Sequence, residues 1–340
     1  MRMSKKIFTI SSGIALIMLG IFLGSRGVVL LRDARCNTHY DFINTDIVCN
    51  DTQQVVKKTG YIETTNRIAS LIKGEQQKNG SIEIAVYFRD LKNGPVFGIN
   101  ENAKFIPASL LKLPLAMYFF SLEEEQPGFL MTNLTYTDAV RQTLSPTATS
   151  SPSYVHQEFP LGTDLQIGQS YTIDDLLSRM LQYSDNFAYL TLLSYVTSQP
   201  GGSEVLRQKY GELGIIDPTY ADDTITVRSY ASIFRLLYHV SYLDAASSEK
   251  ALSLLSKSDF NDGLVAGIPS GTRIAHKFGE RELGNGIKQI HDCGIVYYPD
   301  NPYLICVMTK GSNVQSLTSV ISKISGIVYD EVNSRKIDRR

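Results

Sequence analysis

The stretch from Phe105 to Phe120 decides what this chain can fold around. It reads Phe-Ile-Pro-Ala-Ser-Leu-Leu-Lys-Leu-Pro-Leu-Ala-Met-Tyr-Phe-Phe. A helix of this composition is apolar on nearly every face and has to lie inside a core. Two polar side chains interrupt it, Ser109 and Lys112, three apart and therefore on one face. A lysine in such surroundings loses hydration, which drives its pKa toward neutrality. A neutral amine within reach of a hydroxyl takes its proton and makes the serine a nucleophile. The start of the helix also offers unpaired backbone N–H groups to a developing oxyanion. Pro114 stands inside the apparent helix, where proline removes a backbone bond at a cost of about 3 kcal/mol. Tertiary packing, not local propensity, must therefore fix this segment.

Ser-x-x-Lys occurs three times, at Ser70/Lys73, Ser109/Lys112 and Ser247/Lys250. Ser70 is followed by Lys73, Glu75 and Lys78, a solvated face. Ser247 stands in Ala-Ala-Ser-Ser-Glu-Lys, which reads as a helix start at the surface. Only Ser109 has an almost wholly apolar setting. With 340 residues, 43% apolar and 20% charged, the chain can bury one large core or two lobes. A net charge of −1 gives no argument for a nucleic-acid partner.

Arg2, Lys5 and Lys6 precede an uncharged apolar run, Ile7 to Leu23, and apolar residues resume after Arg26 as far as Leu31. Leu23-Gly24-Ser25 is a poor cleavage site, so residues 1–31 are expected to be an uncleaved signal anchor that spans the membrane once. Arg26, Arg32 and Arg35 follow the run, so charge counting leaves its orientation open. Residues 32–60 are polar and read as a juxtamembrane segment. The cysteines are Cys36, Cys49, Cys293 and Cys306, without the close spacing of a zinc site, and no metal or cofactor is expected. Outside the cell Cys36 and Cys49 could close a small loop. Cys293 and Cys306 fall on two strands flanking Tyr298–Pro302 and should face each other, either as buried thiols or as a disulfide.

A helix is expected over 64–77, then strands over 81–88 and 96–99, then the buried Ser109 helix. Residues 144–160, rich in Ser, Thr and Pro, form a long surface loop inserted within one domain. Thr172 should cap a helix running to Tyr183, followed by helices over 187–196, 203–213, 227–242 and 246–255. Strands follow over 272–278, 288–298 and 303–309, with a closing helix over 314–332. This order gives one mixed sheet with strands from both chain ends and a helical lobe inserted between them.

Two further clusters stand at the edges of these elements. Ser184-Asp185-Asn186 precedes an apolar helix and suits an N-cap, with Ser and Asn as the capping side chains. His276-Lys277-Phe278-Gly279 ends a strand. Neither carries weight alone. The ordered set does: Ser-x-x-Lys, then Ser-Asp-Asn, then Lys-x-Gly on a strand before two more strands and a terminal helix.

By these motifs the chain resembles the penicillin-recognising serine enzymes, and within them the class A β-lactamase family. The resemblance covers about residues 61–335 and extends to Tyr183–Leu190 and Asp223–Thr226. It implies an α+β fold of the β-lactamase/DD-peptidase type: a five-stranded antiparallel sheet, flanking N- and C-terminal helices and an all-helical lobe. The catalytic domain would be 61–340, its α/β part 61–104 and 271–335 and its lobe 105–270. The resemblance also implies roles. Ser109 would be the nucleophile and Lys112 its base. Ser184 would relay a proton to the leaving nitrogen, and Asn186 would hold the substrate amide. Lys277 would support Ser184 and attract a substrate carboxylate. Backbone N–H groups of Ser109 and Glu280, the latter next to Gly279, would form the oxyanion hole.

Two positions depart from the family pattern. The Glu-x-x-Leu-Asn loop, whose glutamate activates the deacylating water, is missing from residues 211–223, where only Glu212 and Asp217 offer carboxylates for that task. Phe278 stands where the third motif has a hydroxyl for the substrate carboxylate. Three functions follow: hydrolysis of β-lactams through an acyl-enzyme, D-alanyl-D-alanine carboxypeptidase or transpeptidase activity on peptidoglycan-derived peptides, or penicillin binding without efficient turnover. Each places the domain outside the cytoplasm, on the cell membrane. His291, at the start of the next strand, is either a further donor near the site or a packed histidine.

Overall fold

The two ends of the chain supply the sheet, and the middle supplies the lobe. The computed structural model describes residues 40–44, 60–80, 82–92, 94–142, 164–215 and 224–337. Helix α1 (Ile62–Asn79) leads into β1 (Glu83–Asp90) and β2 (Val96–Ile99). Next come β3 (Lys104–Phe105), a 3-10 turn over Ala108–Leu111, and α2 (Lys112–Glu125). The lobe continues with β4 (Asn133–Thr135), α3 (Asp138–Gln142), β5 (Ser170–Thr172), α4 (Ile173–Gln182), α5 (Asn186–Ser198) and α6 (Gly202–Glu212). It closes with β6 (Ile225–Thr226), α7 (Val227–Tyr238) and α8 (Ala245–Leu255). The chain returns to the sheet through β7 (Ile274–Gly284), β8 (Ile287–Val296) and β9 (Tyr303–Gly311), then ends in α9 (Val314–Ile337).

The main sheet has five strands in the order β2-β1-β9-β8-β7. All of its neighbours pair antiparallel, as the family resemblance implies and unlike the mixed sheet suggested by element order alone. For three of the four pairs the reason is local: β1–β2, β7–β8 and β8–β9 are hairpins, and a short connection can only join antiparallel strands. Alternation along each strand splits the core in two. Ile84, Val86, Phe88, Ile305 and Val307 face one way and pack with Ile68, Ile72, Val320, Ile321 and Ile324 of the terminal helices. Ala85, Cys293, Ile295, Cys306 and Met308 face the other way, into the lobe with Leu113, Met117, Leu176 and Phe234.

Helix α2 is buried almost throughout its first half, from Lys112 to Met117. It begins at Lys112, so Pro114 stands in its first turn. The N–H that proline lacks there would have had no helical partner. The expected penalty is thereby avoided, because the residues before Lys112 form a tighter turn. Thr172 caps α4 as expected, its side chain accepting from Asp175 N–H. The helix expected over 227–242 stops at Tyr238, ahead of Val240, which takes a φ of 50°. Ser247 does lie near a helix start, but it is 8% exposed and not at the surface.

Cys293 and Cys306 are register partners on β8 and β9 with Cα atoms 3.9 Å apart, and they are joined as a disulfide on the lobe side of the sheet. The opposed register sets the two side chains face to face, and of the two states open to them the structure has the bond. The expected anchor over 1–31, Cys36, Cys49 and the loop over 144–160 lie outside the described residues. Among the described residues no helix is long and apolar enough to cross a membrane.

A short segment ahead of α1 also docks on the domain. The N–H groups of Asp41, Phe42 and Ile43 all donate to the Glu249 carboxylate, at 2.7, 2.9 and 3.1 Å. Tyr297 Oη donates to Phe42 O at 3.0 Å, and Asn44 N–H donates to Tyr238 O at 2.8 Å. Glu249 and Tyr238 belong to the lobe, and Tyr297 follows β8, so this segment straps lobe to sheet. Replacing Glu249 by alanine leaves three N–H groups without their acceptor. The Glu249→Ala variant should be destabilised by about 1–3 kcal/mol in urea unfolding. An unchanged midpoint would show that the strap holds nothing.

Candidate active site

Four side chains converge from three elements beside the Ala108–Leu111 turn. Lys112 opens α2, Ser184 and Asn186 sit at the start of α5, and Lys277 lies on β7. Lys112 Nζ donates to Ser184 O, lies 3.1 Å from Ser184 Oγ, and donates to Asn186 Oδ1 at 2.6 Å. Lys277 Nζ donates to the same Ser184 Oγ at 2.8 Å and to Phe278 O at 2.8 Å. Ser184, Lys112 and Lys277 are buried. Ser109 sits in the turn, half-buried, one residue after Ala108.

Each position has a local cause. Ser184 takes a left-handed φ of 53°, which turns the chain sharply out of α4 and into α5. The cap of α5 is Asp185, whose Oδ1 accepts from the N–H groups of Phe187 and Ala188. This corrects the reading of Ser184 and Asn186 as capping side chains: the aspartate takes that task, and its two neighbours turn to Lys112. Ala108 has a φ of 50°, a conformation that costs a residue with a Cβ about 1–3 kcal/mol. Tyr230, fully buried on α7, donates its hydroxyl to Leu110 O at 2.9 Å and ties the far side of the turn.

Gly279 brings β7 against this turn. A Cβ there would come within 2.9 Å of Leu110 Cγ and 3.0 Å of Pro107 O, so no larger residue fits without displacing one of the two elements. The glycine thus brings Glu280 and Ser109, the expected oxyanion donors, onto neighbouring elements. β7 is also the edge strand of the sheet.

Packing accounts for Phe278 and for His291. Phe278 is 1% exposed and stacks on Phe260 with ring centroids 4.2 Å apart, while Lys277 Nζ lies 4.3 Å from its ring centroid. It is a core residue, and a threonine there would open a cavity as well as bring a hydroxyl. His291 is the packed histidine of the two alternatives: fully buried, its Nε2 is 3.0 Å from Ile106 O. Of the two carboxylates considered for deacylation, Glu212 is held by Lys209 at 3.2 Å and Gln208 at 3.0 Å, and Asp217 lies outside the described residues. Sequence reasoning also missed the buried pair of His276 Nδ1 and Asp292 Oδ1, 2.9 Å apart, with Asp292 Oδ2 accepting from Leu264 N–H. His276 and Asp292 are not neighbours in the chain, and only the β7–β8 register brings them together.

The sequence pattern of the β-lactamase enzyme family, Beta-lactamase2, matches residues 63–332. The chain belongs to the β-lactamase enzyme family. The Pseudomonas aeruginosa β-lactamases CARB-3 and PSE-4 are 27% and 24% identical to it, each over 75% of this chain and 87% of the relative. Among solved structures, PBP-A superposes with a TM-score of 0.66 at 21% identity, covering 83% of this chain and all of that one. A class A β-lactamase from Mycobacterium abscessus gives 0.61 at 19% identity, covering 79% of this chain and 99% of its own. The fold is that of the class A β-lactamases and PBP-A, as the sheet and lobe already indicate.

Electrostatics sets how this β-lactamase-family site can act. Burial lowers the Lys112 pKa to about 7, with the nearby Asp185 charge opposing the drop. Burial also holds Lys277 well below its ordinary value, the Lys112 charge adds to that, and Asp292 opposes it. Lys112 can therefore be a neutral amine near pH 7 and accept a proton. A base must be deprotonated to work, so covalent labelling of Ser109 by a β-lactam should accelerate as pH rises through about 7 and level off above it. The pH profile of a stopped-flow labelling rate tests this. A rate flat from pH 5 to 9 would remove Lys112 from the role.

Proposed function

We propose that the protein is a membrane-anchored serine hydrolase that forms an acyl-enzyme at Ser109 with β-lactams or D-alanine-terminated cell-wall peptides. The observation that carries this reading is the meeting of Lys112, Ser184, Asn186 and Lys277 beside the Ser109 turn. In the proposed reaction Lys112 takes the Ser109 proton and Ser109 Oγ bonds to the substrate carbonyl carbon. The backbone N–H groups of Ser109 and Glu280 stabilise the oxyanion. As the carbon–nitrogen bond breaks, the proton reaches the leaving nitrogen through Ser184, with Lys277 supporting that hydroxyl. Asn186 holds the substrate amide. A mutant of PBP-A has been solved as an acyl-enzyme complex with penicillin G, on the same fold at 20% identity, which supports acylation as the shared step.

Release of the acyl group is where this chain departs from an efficient β-lactamase. Glu212 is engaged by Lys209 and Gln208, and general-base help to the water is worth about 10²–10⁴-fold. Without it the adduct should persist. Intact mass spectrometry with a penicillin should show one adduct that decays slowly, and Ser109→Ala should show none. An adduct on Ser109→Ala would overturn the nucleophile, and fast multiple turnover by the unmodified protein would overturn the slow release. The cell-wall peptidase reading shares this chemistry. It is favoured by the edge position of β7 beside the turn, which suits pairing with an extended peptide backbone.

We further propose that residues 1–31 anchor the chain in the membrane with the domain outside the cytoplasm. The Cys293–Cys306 disulfide supports this, because such bonds persist in oxidising compartments. A reporter that works only outside the cytoplasm, fused after Arg340, should be active. Activity from a cytoplasm-only reporter would refute the placement.

A further inference from the structure

We propose that His291 and Gln289 are positioning residues for Ser109: from β8 they hold the backbone of Ile106, three residues before the nucleophile, and so set where its turn stands. The inference rests on the reading of Ser109 as the nucleophile.

The geometry is a two-sided grip on one residue, through the peptide units on either side of it. Ile106 N–H donates to Gln289 Oε1 at 3.1 Å, and Ile106 O lies 3.0 Å from His291 Nε2. His291 Nε2 is also 3.1 Å from Gln289 Oε1, so the two side chains brace each other. The tautomer follows from a third contact. Thr309 N–H, a backbone donor, points at His291 Nδ1 at 3.3 Å, which makes Nδ1 the acceptor and leaves the proton on Nε2 to donate to Ile106 O. Protonating the ring would set one N–H against another. Burial holds the ring neutral, lowering its pKa to about 4 against the opposing bonds to Ile106 and Ile290.

Both side chains are buried and both point to the lobe side of β8, as residues two apart on a strand must. The Phe105 ring meets the His291 ring edge-on, with centroids 5.5 Å apart, and fixes its rotation. Downstream the chain has little freedom before it reaches Ser109. Pro107 fixes one φ, Ala108 occupies its left-handed φ of 50°, and Leu110 is held by Tyr230. A strained turn persists only when its surroundings over-determine it. Gln289 and His291 supply the upstream constraint, Tyr230 the downstream one, and Gly279 the close contact between. Neither β8 residue hydrogen-bonds to Lys112, Ser184 or Lys277, so their effect passes through the backbone of residues 106–109.

The test separates position from folding by measuring acylation per folded molecule. Wild type and the variants His291→Leu, Gln289→Leu and His291→Gln are labelled with a fluorescent penicillin over a range of concentrations. The folded fraction is read from the unfolding curve of each variant, and the noncovalent binding constant is separated from the acylation rate constant. Loss of the grip should lower the acylation rate constant about tenfold or more in the two leucine variants while binding changes less than about twofold. His291→Gln, whose amide can both donate to Ile106 O and accept from Thr309 N–H, should recover most of the rate. Leucine variants that acylate at the wild-type rate per folded molecule would overturn the proposal, and so would a His291→Gln variant no better than His291→Leu. A wild type that never labels would instead remove Ser109 as the nucleophile, and the positioning role with it.

Discussion

Lys112 and Lys277 come from opposite walls of the site and both reach the hydroxyl of Ser184. Neither is exposed; burial disfavours the charge on both, and the Lys112 charge further disfavours that on Lys277, since two ammonium groups at one buried acceptor repel. The remainder of the structure has to tolerate this. Burial that lowers the Lys112 pKa from 10.5 to about 7 opposes folding by on the order of 5 kcal/mol below pH 7, where the ammonium is carried in both states. The sign follows from proton uptake: the unfolded chain binds one more proton between pH 7 and 10.5, so stability rises with pH across that window. A domain of this size offsets such a cost through its two apolar cores. That explains why the helix carrying Lys112 is apolar on nearly every side.

The same economy of space governs the turn. Three elements meet around the turn and Lys112, and each is admitted by a small or special residue. Gly279 lets β7 touch Pro107 and Leu110, Ala108 accepts a left-handed φ, and Ser184 does the same between α4 and α5. Asp185 then takes over capping, so that its neighbours on either side are free to bind the lysine. Site chemistry and helix termination are thus divided among three consecutive residues.

Much of this was legible in the sequence. The apolar run around Ser109 and Lys112 named the buried helix, and the order of the three motifs named the convergence and the fold. The parts that were not legible depend on register and three-dimensional proximity. The β7–β8 register opposes Phe278 to Asp292 and buries His276 beside that carboxylate, which no spacing along the chain announces. Tyr230 reads in sequence as one more core aromatic of an amphipathic helix; its bond to Leu110 O appears only once α7 is placed over the turn. Phe278 brings no hydroxyl to the third motif, and what the motif does not announce is where its ring goes. In the structure its ring belongs to the core behind its motif neighbours. Pro114 read as a helix breaker because the helix start was placed too early.

The strap of residues 40–44 has a mechanical consequence. Its hydrogen bonds end on Glu249 in α8, Tyr238 at the close of α7 and Tyr297 after β8. Any pull on the chain ahead of residue 40 is therefore delivered first to the seam between lobe and sheet, and reaches α1 and β1 only after those contacts give way. The seam takes that load across several bonds at once, on Glu249 and Tyr238 in the lobe and on Tyr297 and Arg273 beside the sheet. A tether attached there pulls on lobe and sheet together rather than on either alone.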